Sequence, residues 1–377
     1  MTFRIKALST TALFFATLAS AHADPTAVSS LFATGGPVGG TQPDSVTVGG
    51  GSVWVEYGNG TDSTGAGGSS TIVQYSLGGA VQHNYTISGL VDGLKFNPTT
   101  GMVWALQNND ANATLSFINP TTNTVSGPLS YGPPYQYTTP GPLARGYDDI
   151  AFLGGKVYLS YTNPVNPTDP VLQVLNNGNN PSGTLTTTSI LTAQQTNPLF
   201  TNSSQNPPDI DSLKSTPNGD LVLTSEGDGL GPEWATSDGR YTLIANPGTP
   251  QQTVTNVRVT NQAGVNVNGM DDVIFPDATS GWLFVAGTPD NVVDKVYVTG
   301  LTIGTPIIAL GSFNEVATVN PTTGVVETTL LDINSPHGMD FLAAPEPSTW
   351  AMMLAGFAGL GFMGHRASAK RRAALPA

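Results

Sequence analysis

A five-residue pattern recurs six times along the 377-residue chain and constrains its fold more than any other feature. It opens on Asp or His, continues with a small or acidic residue, an aliphatic and a variable position, and usually closes on an aromatic or valine. The copies are Asp44-Ser45-Val46-Thr47-Val48, Asp92-Gly93-Leu94-Lys95-Phe96, Asp148-Asp149-Ile150-Ala151-Phe152, Asp211-Ser212-Leu213-Lys214-Ser215, Asp271-Asp272-Val273-Ile274-Phe275 and His337-Gly338-Met339-Asp340-Phe341. Short apolar runs accompany them: Ser52–Tyr57, Thr71–Leu77, Met102–Leu106, Lys156–Tyr161, Asp220–Thr224 and Trp282–Ala286. These runs are rich in Val, Leu, Tyr and Trp, and Gly, Pro and Asn separate them, which is the signature of strands. Helical periodicity is almost absent between 24 and 343. A repeat of strand clusters at this spacing implies stacked, near-identical units.

The arrangement resembles the blades of a β-propeller. Each copy would open a blade as its innermost strand, a hairpin would turn it back, and two outer strands would follow. The expected class is therefore all-β. Blades of about 40 to 50 residues are usual, so the wider spacing here implies insertions, read at Gly58–Ser70, Gly127–Arg145, Asn163–Asn180 and Gln194–Pro208. Three turns of sequence Asn-Pro-Thr-Thr, starting at Asn97, Asn119 and Asn320, are followed by Gly or Asn, as a turn ending at positive φ requires. Six blades is the first reading, with five or seven as alternatives. The sixth copy runs straight toward the C-terminal segment, and a strand over Ala27–Ala33 would complete its blade and close the ring without free edges. The resemblance is to propellers in general, including the NHL, YVTN and gluconolactonase groups, and no signature of any one group is matched.

Both ends of the chain read as addresses. Arg4 and Lys6, the apolar Thr11–Leu18 and the small-x-small Ala21-His22-Ala23 form a signal peptide, cut by signal peptidase before Asp24. Near the C-terminus, Pro345-Glu346-Pro347 precedes an uncharged apolar run from Trp350 to Gly364 and a basic cluster of Arg366, Lys370, Arg371 and Arg372. The run is shorter than the about 20 helical residues that a bilayer core takes, and Ser348, Thr349 and His365 extend it. This order resembles the PEP-CTERM sorting signal of Gram-negative bacteria. The resemblance implies a transmembrane helix with a cytoplasmic basic tail, recognition by an exosortase, and transfer to the cell surface or an exopolysaccharide matrix. A plain C-terminal membrane anchor is the alternative. The expected organisation is a signal peptide (1–23), a propeller-like domain (24–343) and a sorting segment (344–377).

Between the two addresses the chain holds 7 Lys and Arg against 25 Asp and Glu, a net charge of −18. Such a surface excludes nucleic acid and anionic lipid as natural partners. The chain has no cysteine, which removes disulfides, thiolate metal sites and cysteine nucleophiles.

The repeat supplies the candidate site. In a propeller, Asp44, Asp92, Asp148, Asp211, Asp271 and His337 would gather at one mouth of the central channel. Such a set of hard oxygen donors suits a divalent cation, calcium above all. The plain alternative is that each Asp caps the turn into its own strand by accepting backbone N–H bonds. Ser225-Glu226-Gly227-Asp228-Gly229 is read as an acidic turn or a second cation loop. No nucleophile elbow, zinc-protease motif or phosphate-binding loop is present. The expected function is an exported surface or matrix protein with a non-catalytic binding propeller for polysaccharide, protein or cation. A secreted hydrolase or lactonase with a metal at the channel mouth is the alternative.

Overall fold

The computed structural model describes residues 24–110, 112–132, 146–198, 200, 208–228 and 239–344. The expected signal peptide with Ala21 and Ala23, positions 133–145 of the insertion read at Gly127–Arg145, and the sorting residues Pro345, Glu346, Pro347, Arg366, Arg371 and Arg372 lie outside them. Among the described residues no helix is long and apolar enough to cross a membrane, and the expected span from 350 falls outside this set.

The described residues form six four-stranded antiparallel sheets. Blade I contains β2 (Pro43–Gly49), β3 (Ser52–Tyr57), β4 (Ser69–Ser76) and β5 (Val81–Ser88). Blade II contains β6 (Val91–Asn97), β7 (Met102–Gln107), β8 (Thr114–Asn119) and β9 (Thr124–Ser130). Blade III runs through β10 (Tyr147–Leu153), β11 (Lys156–Tyr161), β12 (Pro170–Leu175) and β13 (Thr187–Thr192). Blade IV runs through β14 (Pro208–Ser215), β15 (Leu221–Asp228), β16 (Arg240–Ala245) and β17 (Thr253–Arg258). The segment 163–180, read as an insertion, thus contains β12.

The last two blades interleave. Blade V is β18 (Met270–Ile274), β21 (Ile307–Leu310), β22 (Glu315–Val319) and β23 (Val326–Asp332). Blade VI is β24 (Pro336–Ala343), β19 (Ser280–Gly287), β20 (Val292–Thr299) and β1 (Thr26–Thr34), in that order from the inside outward. The apolar run at Trp282–Ala286 therefore does not turn back on Asp271–Phe275. It crosses to the next blade, where Val285 pairs with Met339. The expected N-terminal strand is present, and its partner is β20. Phe32 of β1 sits edge-on against Phe284 at 5.0 Å and Tyr75 at 5.6 Å, tying the closing blade to blade I.

The six inner strands adjoin one another in a closed ring, β2-β6-β10-β14-β18-β24. Six apolar clusters fill the gaps between neighbouring blades, one per interface, from Trp54 and Leu94 between I and II to Val46 and Phe284 between VI and I. A strand inside a blade therefore buries both faces, as β3 does along its whole length. The ring needs close approach at two inner positions. A Cβ on Gly93 would lie 2.3 Å from the Asp148 carbonyl oxygen, and one on Gly338 would lie 2.5 Å from that of Asp44. The Asn-Pro-Thr-Thr turns form as read. Asn97, Asn119 and Asn320 each accept the backbone N–H groups two and three residues on. Asn123 after the second turn takes φ +54°.

Candidate functional site

Each inner strand carries a β-bulge at the first two positions of its repeat. The pairing register shifts between Pro43 and Val46, Val91 and Leu94, Tyr147 and Ile150, Ile210 and Leu213, Met270 and Val273, and across Pro336 and Met339. A bulge spends an extra residue and re-aims side chains, and here it does so six times around one axis.

The first positions converge. His337 Nδ1 lies 2.9 Å from Asp44 Oδ1 and 3.1 Å from Asp271 Oδ1. Carboxylate oxygens of Asp211, Glu226 and Asp271 fall within 4.8 Å of one another. Asp92 completes the ring between Asp44 and Asp148, close enough to hydrogen-bond both carboxyls. All six sequence candidates therefore share one mouth. Glu226 joins them from β15, so the segment read as an acidic turn is a strand through Asp228.

Such crowding perturbs the carboxyls of Asp92, Asp211 and Asp44. Burial, with Asp148 and Asp44 alongside, pushes Asp92 well above the usual carboxylate range. Burial does the same to Asp211, with Asp271, Asp148, Glu226 and Asp92 around it. Asp211 Oδ2 is buried without a hydrogen-bond partner. Burial pushes Asp44 up, but the hydrogen bond and charge of His337, together with a hydrogen bond to Asp92, hold its carboxyl below the usual range. His337 is pushed up to about 12: burial opposes its charge, but Asp271 and Asp44 override it. His337 is thus the internal counter-ion of one side of the ring, and its Nε2 meets Ser335 Oγ at 3.3 Å. The other described histidine, His83, lies exposed on outer strand β5, away from the channel.

Backbone donors go to other carboxylates that the sequence reading passed over. Asp149 Oδ2 accepts Leu213 N–H at 3.0 Å, Asp272 Oδ2 accepts Met339 N–H at 2.7 Å, and Asp340 Oδ2 accepts Val48 N–H at 2.7 Å. Each bond runs from one blade to the next. These residues occupy the second and fourth repeat positions. Two lysines at fourth positions answer them: Lys95 Nζ is 3.2 Å from Asp149, and Lys214 Nζ is 2.8 Å from Asp272. The signal for them was present in the repeat as an alternation of Lys with Asp at positions scored only as small, acidic or variable.

No curated protein matches the chain in sequence. Among solved structures, it is similar to hydrazine synthase from Kuenenia stuttgartiensis (10% identity, TM-score 0.41, covering 74% of this chain and 64% of that one). It is also similar to a Bacteroides caccae protein of unknown function (10%, TM-score 0.45, covering 80% and 87%). A third is a Bacteroides fragilis protein proposed to be a 6-phosphogluconolactonase (14%, TM-score 0.41, covering 81% and 74%). Likeness at these levels says nothing about activity. The C-terminal segment matches a family model directly: residues 343–367 are a PEP-CTERM protein-sorting motif, which implies an exported protein, membrane-anchored until exosortase processing.

Proposed function

We propose that this is an exosortase-sorted surface or matrix protein whose propeller is a non-catalytic binding module, holding a divalent cation at its acidic mouth. The observation that carries the cation is Asp211 Oδ2, a buried carboxylate oxygen without a partner, beside Glu226 and Asp271. Carboxylates this close repel one another, and a cation relieves that repulsion. An all-oxygen donor set favours Ca²⁺. His337 already neutralises the Asp44 side, so the cation belongs on the Asp211 side, with Asp92 and Asp148 adjoining. An exopolysaccharide matrix is the destination that the sorting motif suggests for the processed protein.

The alternative is a secreted hydrolase or lactonase with the same metal activating water. His337 would be its natural general base, but both ring nitrogens are engaged, one by two carboxylates and one by Ser335. That arrangement favours binding over catalysis.

Thermal melts of the full chain, with Ca²⁺ and with chelator, test the cation site. Binding at a hundredfold excess over Kd should stabilise the fold by about 2.7 kcal/mol. Replacing Asp92→Asn and Asp211→Asn together should remove most of that gain. Identical wild-type melts in the two buffers would dispose of the site. Calcium-dependent lactone turnover lost in the double variant would move the assignment to the hydrolase.

A further inference from the structure

The channel has a second mouth, and its lining follows from the same repeat. The fourth and fifth residues of all six copies surround one cavity of about 340 Å³, within the range of about 300–1,000 Å³ that holds small ligands. Its walls are Phe96, Phe152, Phe275 and Phe341, each half-buried. These rings are fixed. Phe152 stands edge-on to Trp104 at 5.2 Å and Phe275 edge-on to Tyr241 at 6.3 Å. Phe96 lies over Gly49 and Phe341 over Gly281, where a Cβ would come within 2.1 and 2.3 Å of the rings. Rigid apolar walls of this kind bind without an ordering cost.

The floor is polar and its ammonium groups are matched, while Asp277 adds a carboxylate at the exposed rim. Lys95 is paired with Asp149 and Lys214 with Asp272. Asp340 holds the backbone N–H groups of Val48 and Phe341. An anionic ligand would have to draw these ammoniums away from their carboxylates, and separating a buried pair is strongly unfavourable. A neutral ligand meets no such obstacle. Each ammonium has three donors, so hydrogen-bonding capacity remains beyond its carboxylate. Aromatic faces carry negative potential and attract polarised C–H groups.

The geometry points to a second ligand site at this mouth, for a neutral sugar unit. Its C–H faces lie against the phenylalanines and its hydroxyls reach the ammonium groups and carboxylate of the floor. The site is independent of the cation mouth and needs none of its residues.

Saturation-transfer NMR on the full chain, in a detergent without a sugar headgroup, tests it with glucose, galactose and mannose. Glucuronate serves as the anionic control. At least one neutral sugar should receive transfer on its ring protons, glucuronate should not, and chelator should change nothing. Ser215→Trp, from an exposed rim position, should fill the cavity and weaken binding at least tenfold. Phe96→Leu should weaken it several-fold and carries the same test should the tryptophan variant not fold. Absence of transfer from all three neutral sugars, binding of glucuronate in their place, or undiminished binding in both variants would overturn the assignment.

Discussion

Asp272 of blade V accepts the backbone N–H of Met339 in blade VI at 2.7 Å. The same oxygen lies 2.8 Å from Lys214 Nζ of blade IV. One side chain therefore fastens three blades at the seam where the chain interleaves. Asp272→Ala strands a buried ammonium and a buried N–H, and should cost about 3–5 kcal/mol. Asp272→Asn keeps an acceptor and should cost clearly less. Urea unfolding of the full chain measures both, and a loss of only a few tenths in the alanine variant would show that the seam is held elsewhere.

The cation-free protein should lose stability as pH rises. Folded His337 keeps a proton, its value pushed up to about 12 by Asp271 and Asp44 against burial, whereas the unfolded chain releases it near 6.5. Its contribution is full below about 6.5 and declines as pH climbs toward the folded value. Asp92 and Asp211 are raised by burial and by their neighbours, so they oppose folding increasingly as pH passes through their folded values. All three slopes share one sign. Melting temperatures in chelator should fall steadily from about pH 5 to about pH 9, and His337→Gln should flatten the upper part. A melting temperature that rises over this range would contradict the assignment.

Glu56 is fully buried on β3, and neither oxygen makes a hydrogen bond of normal geometry, although the Ser70 hydroxyl lies alongside. Burial, then the charge of Asp44, raises its carboxyl well above the usual value. At the matching place blade III has Ser160, which donates to the Asp211 carbonyl at 3.1 Å, and blade IV has Thr224, which donates to that of Asp271 at 3.2 Å. Glu56→Gln removes the charge and should stabilise the fold by about 1–3 kcal/mol above neutral pH, with a smaller gain in acid. Denaturant titrations at the two pH values read this directly, and a destabilised variant at high pH would mean that Glu56 has an ionic partner after all.

Six inner strands and the shared mouth of Asp44, Asp92, Asp148, Asp211, Asp271 and His337 were legible because the repeat is carried on local sequence. The interleaving of blades V and VI was not. Ser280–Gly287 follows β18 at ordinary hairpin distance, and its choice of β24 over β18 depends on packing between residues some 55 positions apart, such as Val285 and Met339. Backbone donors from neighbouring blades reach Asp149, Asp272 and Asp340, at second and fourth repeat positions, and bulges turn the first positions inward. Which oxygen meets which N–H is a matter of register between blades, which no single blade's sequence records.

Sorting should depend on the rigid segment ahead of the apolar run. Replacing Pro345 and Pro347 by alanine should leave the chain in the membrane fraction with its tail attached, while the propeller melts unchanged. Cell fractionation with intact-mass measurement decides it, and normal release of a trimmed product would show that the prolines are dispensable.

Strand β24 starts at the acidic mouth with His337 and ends at the aromatic one, where Phe341 lines the cavity and Ala344 N–H still binds the Ser280 carbonyl at 3.0 Å. The chain therefore leaves the propeller on the phenylalanine side. Only five residues lie between Ala344 and Trp350, a leash of at most about 20 Å when fully extended. With the span expected from Trp350, the molecule should hang face-down before processing, its aromatic end held toward the lipid and screened from bulky polymers and its carboxylate end looking outward. Exosortase cleavage is then more than a change of address: it uncovers a face.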